Sequence, residues 1–261
     1  MPDLYATIDS SSLLMYLFYP RRQHSKPPEG AFDLEVPVEK GISIVCRAFR
    51  GVEKNPWILY FHGNGEVVSD YNGIAPMYNE KGINLLVADY RGYGASQGNP
   101  NFQNMVNDAR VIFDYVFENI SGNGVENKWF VMGRSLGSIS ALELAVHYPD
   151  RLSGLIIESG FISVAGLINH LGLPSPGDLS PLENEYRRLT GRINLPALVI
   201  HGQNDRLVPF SQGKDLFESL GSEKKELIVI PGADHNDIMF VDSENYMNAI
   251  NSFVSSQGGI V

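Results

Sequence analysis

The chain is short of several things, and each shortage removes a class of protein. One cysteine, Cys46, stands among 261 residues, so no disulfide can close within the chain and a disulfide-stapled scaffold is excluded. That usage fits a reducing compartment, and a cytoplasmic location is the expectation. No apolar run approaches the roughly 20 residues that a membrane-crossing helix needs. The most conspicuous one, Leu13-Leu14-Met15-Tyr16-Leu17-Phe18-Tyr19, follows an acidic start with Asp3 and Asp9 and precedes Arg21 and Arg22. That charge order is the reverse of a signal peptide, and the segment reads as amphipathic chain packed on the domain. Basic charge is also scarce. Twenty Lys and Arg against thirty Asp and Glu give a net charge of −10, which leaves no basic stripe for phosphates and argues against a nucleic-acid partner. No cluster of residues has metal-site spacing, and neither a metal nor a cofactor is expected. Tandem repeats, low-complexity tracts and an interdomain linker are missing too, so residues 1–261 read as one domain.

What is present is alternation. Residues 32–38 and Ile42–Phe49 look like a leading pair of strands joined at Glu39-Lys40-Gly41. Trp57–Phe61, 83–88, 128–132, 155–157, 197–200 and 226–230 are short apolar runs, the pattern of strands buried on both faces. Between them, Met105, Val106, Ala109, Ile112, Phe113, Val116 and Phe117 share one face of a helix over about 103–118. A second helix over 139–146 is apolar almost all round. Strands alternating with helices predict a mostly parallel eight-stranded sheet covered on both faces, with reactive groups in loops at the carboxyl ends of strands.

Chemistry-bearing motifs fall at those ends. Gly133-Arg134-Ser135-Leu136-Gly137 lies between a strand and a helix. A Gly-x-Ser-x-Gly turn there is sharp enough to strain the serine backbone and expose its Oγ above the sheet, at the positive end of the following helix. His62-Gly63-Asn64-Gly65 follows Trp57–Phe61. Its glycines let backbone N–H groups face a substrate oxygen, and with the N–H of Leu136 they would form an oxyanion hole. Asn64 is the first choice of donor there and Gly65 the second. His201-Gly202-Gln203-Asn204-Asp205 follows 197–200, and a strand-end carboxylate such as Asp205 can accept the Nδ1–H of a histidine and fix its tautomer. Asp178 and Asp215 follow no strand and compete less well. Pro231-Gly232-Ala233-Asp234-His235-Asn236-Asp237 follows the last strand. His235, of six histidines, is placed there to take the proton of Ser135 and return it to a leaving group. His62 and His201, beside glycines, read as structural, and Asp234 and Asp237 as solvated loop charge. Cys46, inside a strand, reads as an inert core thiol.

The order Ser135, Asp205, His235 resembles that of the α/β-hydrolase superfamily. Asp89-Tyr90-Arg91-Gly92-Tyr93-Gly94-Ala95-Ser96 is similar to its D-x-R-G-x-G-x-S turn, in which Arg91 would be scaffold. Phe18-Tyr19-Pro20 and Glu158-Ser159-Gly160-Phe161 fit as well. The resemblance covers nearly the whole chain and points to the small-cap serine hydrolases of the α/β-hydrolase-domain and prolyl-oligopeptidase-like group. It implies the α/β-hydrolase fold with helices on both faces and a small cap, placed at about 161–192. Pro174, Pro176 and Pro181 break that interval, leaving room for one or two short helices. Phe161, Leu167, Ile168 and Leu171 either line an acyl pocket there or seat the cap. The activity implied is hydrolysis of a small carboxylic ester through an acyl-enzyme, with thioester or amide cleavage as the neighbouring alternative. A ligand-binding protein on a hydrolase scaffold is the alternative from another class.

Overall fold

A parallel strand with a helix layer on each side has no solvent-facing side, so a short wholly apolar run belongs in the middle of such a sheet. The computed structural model describes residues 5–120 and 128–258, and Asp3 lies outside them. Two short helices, α1 (Ala6–Asp9) and α2 (Leu14–Leu17), lead into strands β1 (Ala31–Glu39), β2 (Ile42–Phe49) and β3 (Trp57–Phe61). There follow α3 (Ala75–Glu80), β4 (Asn84–Ala88), α4 (Phe102–Ile120), β5 (Trp129–Arg134) and α5 (Ser138–His147). The chain continues through β6 (Gly154–Glu158), α6 (Val164–His170), α7 (Ser180–Thr190), β7 (Ala197–Gly202) and α8 (Phe210–Ser219). It closes with β8 (Lys225–Ile230), α9 (Ile238–Val241) and α10 (Ser243–Gly258).

The eight strands form one sheet in the order β1-β2-β4-β3-β5-β6-β7-β8. The β1–β2 and β2–β4 pairs are antiparallel and all later pairs parallel. This is the mostly parallel α/β architecture the sequence predicts. Alternate residues of each strand feed two cores. Trp57, Leu59 and Phe61 join Val131, Leu155 and Val199 on the face covered by α4 and α5. Ile58 and Tyr60 join Phe130, Ile156 and Leu198 on the face covered by α3 and α10. After β3 the chain turns to one side for β4 and then crosses to the other for β5, so the topological switch lies at the ends of β3 and β5.

Local choices agree with this frame. Both oxygens of Asp9 accept N–H groups from the first turn of α4, Phe102 and Gln103, at 2.9 Å each. A carboxylate at the positive end of a helix satisfies orphan donors and the dipole together. The stretch 13–19 is amphipathic as expected, with Leu13, Leu17 and Phe18 buried and Met15, Tyr16 and Tyr19 exposed. No helix among the described residues is long and apolar enough to cross a membrane. Cys46 is fully buried, and burial, with Asp89 and Asp33 nearby, pushes its thiol well above the usual range. Arg91 is scaffold: its guanidinium grips both oxygens of Asp108 on α4 at 2.7 and 2.8 Å and reaches Glu39 of β1 at 2.7 Å.

The glycine at 137 is a requirement of close approach rather than of backbone angle. A Cβ there would run into the carbonyl groups of Phe61 and His62, backbone atoms that no rotamer change can move. Gly137→Ala is therefore expected to destabilise the fold by about 3 kcal/mol or more. Urea unfolding checks this, and a midpoint equal to that of the parent would refute it.

Candidate active site

Ser135 sits at the switch point because β5 ends in Gly133-Arg134 and the chain turns at once into α5. Its φ is 51°, a left-handed conformation unfavourable for a side chain and held here by the packing of the turn. Its hydroxyl donates to Nε2 of His235 at 3.0 Å. On the other side of that ring, Nδ1–H donates to Oδ2 of Asp205 at 2.7 Å. A carboxylate can only accept, so the proton belongs on Nδ1 and Nε2 is left with a lone pair for the serine. All three residues are buried. The three side chains predicted from the sequence thus meet, 30 and 100 residues apart along the chain.

The carboxylate is fixed before it meets the histidine. Oδ1 of Asp205 accepts the N–H groups of Leu207 and Val208 at 3.0 and 2.8 Å. Oδ2 also lies 3.4 Å from Nε2 of the buried His201. Burial pushes the Asp205 carboxyl up, but the hydrogen bonds from His201, His235 and Val208 and the electrostatic pull of the His235 ring outweigh it. The group is held well below the usual carboxylate range. His201 is structural as expected, since its Nε2–H also donates to the Val208 carbonyl at 2.9 Å. His62 is likewise tied in the core, its ring nitrogens at 2.8 Å from Gly63 O and 3.1 Å from Asp89 Oδ1.

The reading of Asp234 and Asp237 as mere solvated charge needs correction. Oδ1 of Asp234 accepts the N–H of His235 at 2.7 Å and of Arg206 at 3.1 Å, so it fastens the loop after β8 to the loop after β7. Those N–H groups hold its carboxyl below the usual range. Oδ1 of Asp237 accepts the N–H of Asp234 at 2.7 Å. The short spacing that places acceptors beside free N–H groups is visible in the sequence, while the partner loop is not. Asp178 and Asp215 are both exposed and take no part.

The turn 62–65 lies beside the elbow, because Phe61 pairs with Gly133 in register. The Asn64 side chain is fully engaged. Oδ1 accepts from Tyr19 N at 2.9 Å and from the Tyr93 hydroxyl at 2.6 Å, and Nδ2 donates to Leu17 O at 3.0 Å. The backbone N–H of Gly63 is taken by Glu66 at 2.9 Å. Among the described residues no acceptor takes the N–H of Asn64 or of Gly65. The N-terminal strap 17–19 therefore braces this turn through a side chain, a contact that no local motif announces.

Two helices, α6 and α7, occupy the proline-broken interval. Phe161 and Ile168 are buried in the main core and Leu167 packs half-buried against it, while Leu171 is exposed. Phe161, Leu167 and Ile168 thus seat α6 on the main core, while Leu171 does not. A cleft of about 850 Å³ between α4, α5 and α7 touches none of Ser135, Asp205 or His235. Two of its arginines are already paired, Arg110 with Glu143 and Arg188 with Glu185.

A hydroxyl, an imidazole and a carboxylate in this order can turn a serine into a nucleophile, because the proton has somewhere to go and the resulting imidazolium has a partner. Known proteins share both sequence and shape with the chain. YfhR of Salmonella typhi, an uncharacterized protein, is 28% identical over 213 residues, 76% of this chain and 71% of that one. Protein bem46 of Schizosaccharomyces pombe is 30% identical over 212 residues, 78% of this chain and 68% of that one. Among solved structures, the Pyrococcus furiosus esterase Pf2001 superposes with a TM-score of 0.74 at 17% identity, over 91% of this chain and 98% of that one. The monoacylglycerol lipase of Paleococcus ferrophilus gives 0.66 at 20% identity, over 82% and 99%. Identities this low speak to the fold alone. The family model described as serine aminopeptidase, S33, matches residues 53–176 and 178–240, so the chain belongs to that family of α/β hydrolases.

Proposed function

We propose that this single-domain hydrolase, with its cap at about 161–192, cleaves small carboxylic esters through an acyl-enzyme on Ser135. The observation that carries the reading is the unbroken Ser135–His235–Asp205 hydrogen-bond chain at a strained elbow. Ser135 Oγ bonds to the acyl carbon as its proton passes to His235 Nε2. The N–H of Leu136, with that of Asn64 first or Gly65 second, holds the negative oxygen. When the tetrahedral adduct collapses, the bond to the leaving alkoxide breaks and His235 returns the proton to that oxygen. Water then repeats the steps on the acyl-enzyme, losing its proton to His235 and releasing the acid and free Ser135. Besides the ester and one water, these steps use only groups of this chain. Activity against a panel of esters, thioesters and amides, with fluorophosphonate labelling of Ser135, tests the reading. Absence of both turnover and labelling would overturn it in favour of a ligand-binding role.

Acyl size follows from what the cap residues do. Phe161 and Ile168 are buried in the main core, and α6 and α7 are only 7 and 11 residues long. Each methylene contributes about 0.8 kcal/mol to binding only while it is buried. Carbons left in water add nothing to transition-state stabilisation. On p-nitrophenyl esters kcat/KM is expected to peak at about C2 to C6 acyl chains and to decline beyond them, by the same burial argument. An optimum at C12–C16 would contradict this and point to a lipase-like or protein-deacylating role.

A further inference from the structure

Residue 134 is only a spacer in the Gly-x-Ser-x-Gly pattern, yet its side chain joins four groups close to Ser135. Its side chain is largely buried, 11% exposed. Nε–H donates to Glu158 Oε1 at 3.0 Å, at the end of β6. One Nη donates to Glu66 Oε1, in the turn after β3. The other donates to the backbone carbonyl of His235 at 2.7 Å and to Asn236 Oδ1 at 3.1 Å, in the loop after β8. The anchors are themselves held. Glu158 Oε2 accepts the Tyr246 hydroxyl at 2.6 Å, and Glu66 Oε2 accepts the Tyr71 hydroxyl at 2.6 Å and Gly63 N–H at 2.9 Å. Burial draws the Arg134 guanidinium down, but Glu66 and Glu158 outweigh it and keep it charged.

We infer that Arg134 is a positioning residue that sets the separation of Ser135, the 63–65 turn and His235 by holding all three supports on one planar guanidinium. The planarity is what matters. Five N–H groups in a fixed fork define the relative places of several oxygens, whereas a lysine supplies the same charge as a point on a flexible stem. A lysine at this position still balances Glu66 and Glu158 but cannot span them and the His235 carbonyl together. Displacements near 1 Å at a reacting centre lower rates by on the order of 100-fold. The inference rests on the serine-hydrolase reading above.

Arg134→Lys separates the two possibilities. The experiment measures kcat and KM on p-nitrophenyl butyrate, divides rates by the concentration of serine titrated with a fluorophosphonate, and records the thermal midpoint. Per titrated serine, kcat is expected to fall by about 10- to 100-fold with KM within about twofold, as geometric misplacement rather than lost binding dictates. A cavity of about 190 Å³ borders Arg134, Glu66, Glu158 and Asn236, which gives a second readout. In Arg134→Ala, added guanidinium at millimolar concentration is expected to restore part of kcat, while equal sodium or ammonium is not. A lysine variant whose kcat per titrated serine equals that of the parent would overturn the inference, since the guanidinium would then serve the fold alone. Lack of labelling in the parent protein would be different: it would remove the proposed function, and this inference with it.

Discussion

Replacing Ser135 by alanine is expected to abolish labelling by a fluorophosphonate and to lower kcat by about 10⁴-fold or more. The substitution removes one oxygen whose hydrogen bond in the structure goes to His235 Nε2. The backbone at φ 51° is no harder for alanine than for serine, so the thermal midpoint should stay close to that of the parent. That contrast is the point of the experiment. A folded variant that loses turnover and labelling together localises the chemistry to a single atom. Labelling that survives in the folded variant would move the nucleophile elsewhere. The described residues include several other serines near the sheet, Ser138 and Ser159 among them, and mass spectrometry of the adduct would show which one reacts.

Asp205→Asn should cost nearly as much activity, about 10³- to 10⁴-fold in kcat, by the effect of a wrong histidine tautomer. Oδ1 of Asp205 faces two N–H donors, those of Leu207 and Val208, and Oδ2 faces His235. An amide that keeps its oxygen toward the two backbone donors turns its NH₂ toward Nδ1 of His235. The ring must then carry its proton on Nε2, where it cannot accept one from Ser135. The flipped amide rescues the tautomer but sets a donor against two donors, which leaves buried N–H groups unpaired. Either outcome is costly. The sign of the pH effect on stability also follows. The folded-state carboxyl lies below its ordinary value, so it adds stability above an unfolded pKa of about 3.9, and that addition disappears as pH falls through the folded value. The variant should lack this part of the acid limb in a stability-against-pH measurement. Unchanged kcat in Asp205→Asn would show that the carboxylate does not govern the histidine.

How much of this is legible without coordinates depends on range. The strands are legible because an apolar run of about five residues leaves few other options, and Trp57–Phe61 occupies the same residues in both descriptions. The meeting of Ser135, Asp205 and His235 is legible because each follows a strand, and a parallel sheet gathers strand ends on one edge. What is not legible is whatever depends on a pairing between loops. Asn64 contacts residues 45 and 47 positions earlier and 29 later, and nothing in His62-Gly63-Asn64-Gly65 says so. Arg134 reaches back 68 residues to Glu66 and forward 101 to the His235 carbonyl. Phe161 and Ile168 pose a different difficulty. An apolar side chain has the same sequence signature whether it faces a cavity or the core, and only the position of α6 decides.

The elbow is also wedged into the body of the protein by the absence of side chains at two positions. Gly133 and Gly137 lie where any Cβ would strike backbone of the elbow turn or of the end of β3, so mutational drift near the nucleophile is purged by misfolding before it can be tested for activity. The loop carrying His235 follows an edge strand, and its Gly232 has open space where a Cβ would be but sits at φ 79°, which glycine adopts far more easily than other residues. Retention of the two glycines in a descendant of this chain is thus weak evidence for retained chemistry, because the fold itself enforces it. The imidazole of His235 is the informative group, since the bonds that hold its loop use the N–H and carbonyl of residue 235 and do not require a histidine side chain.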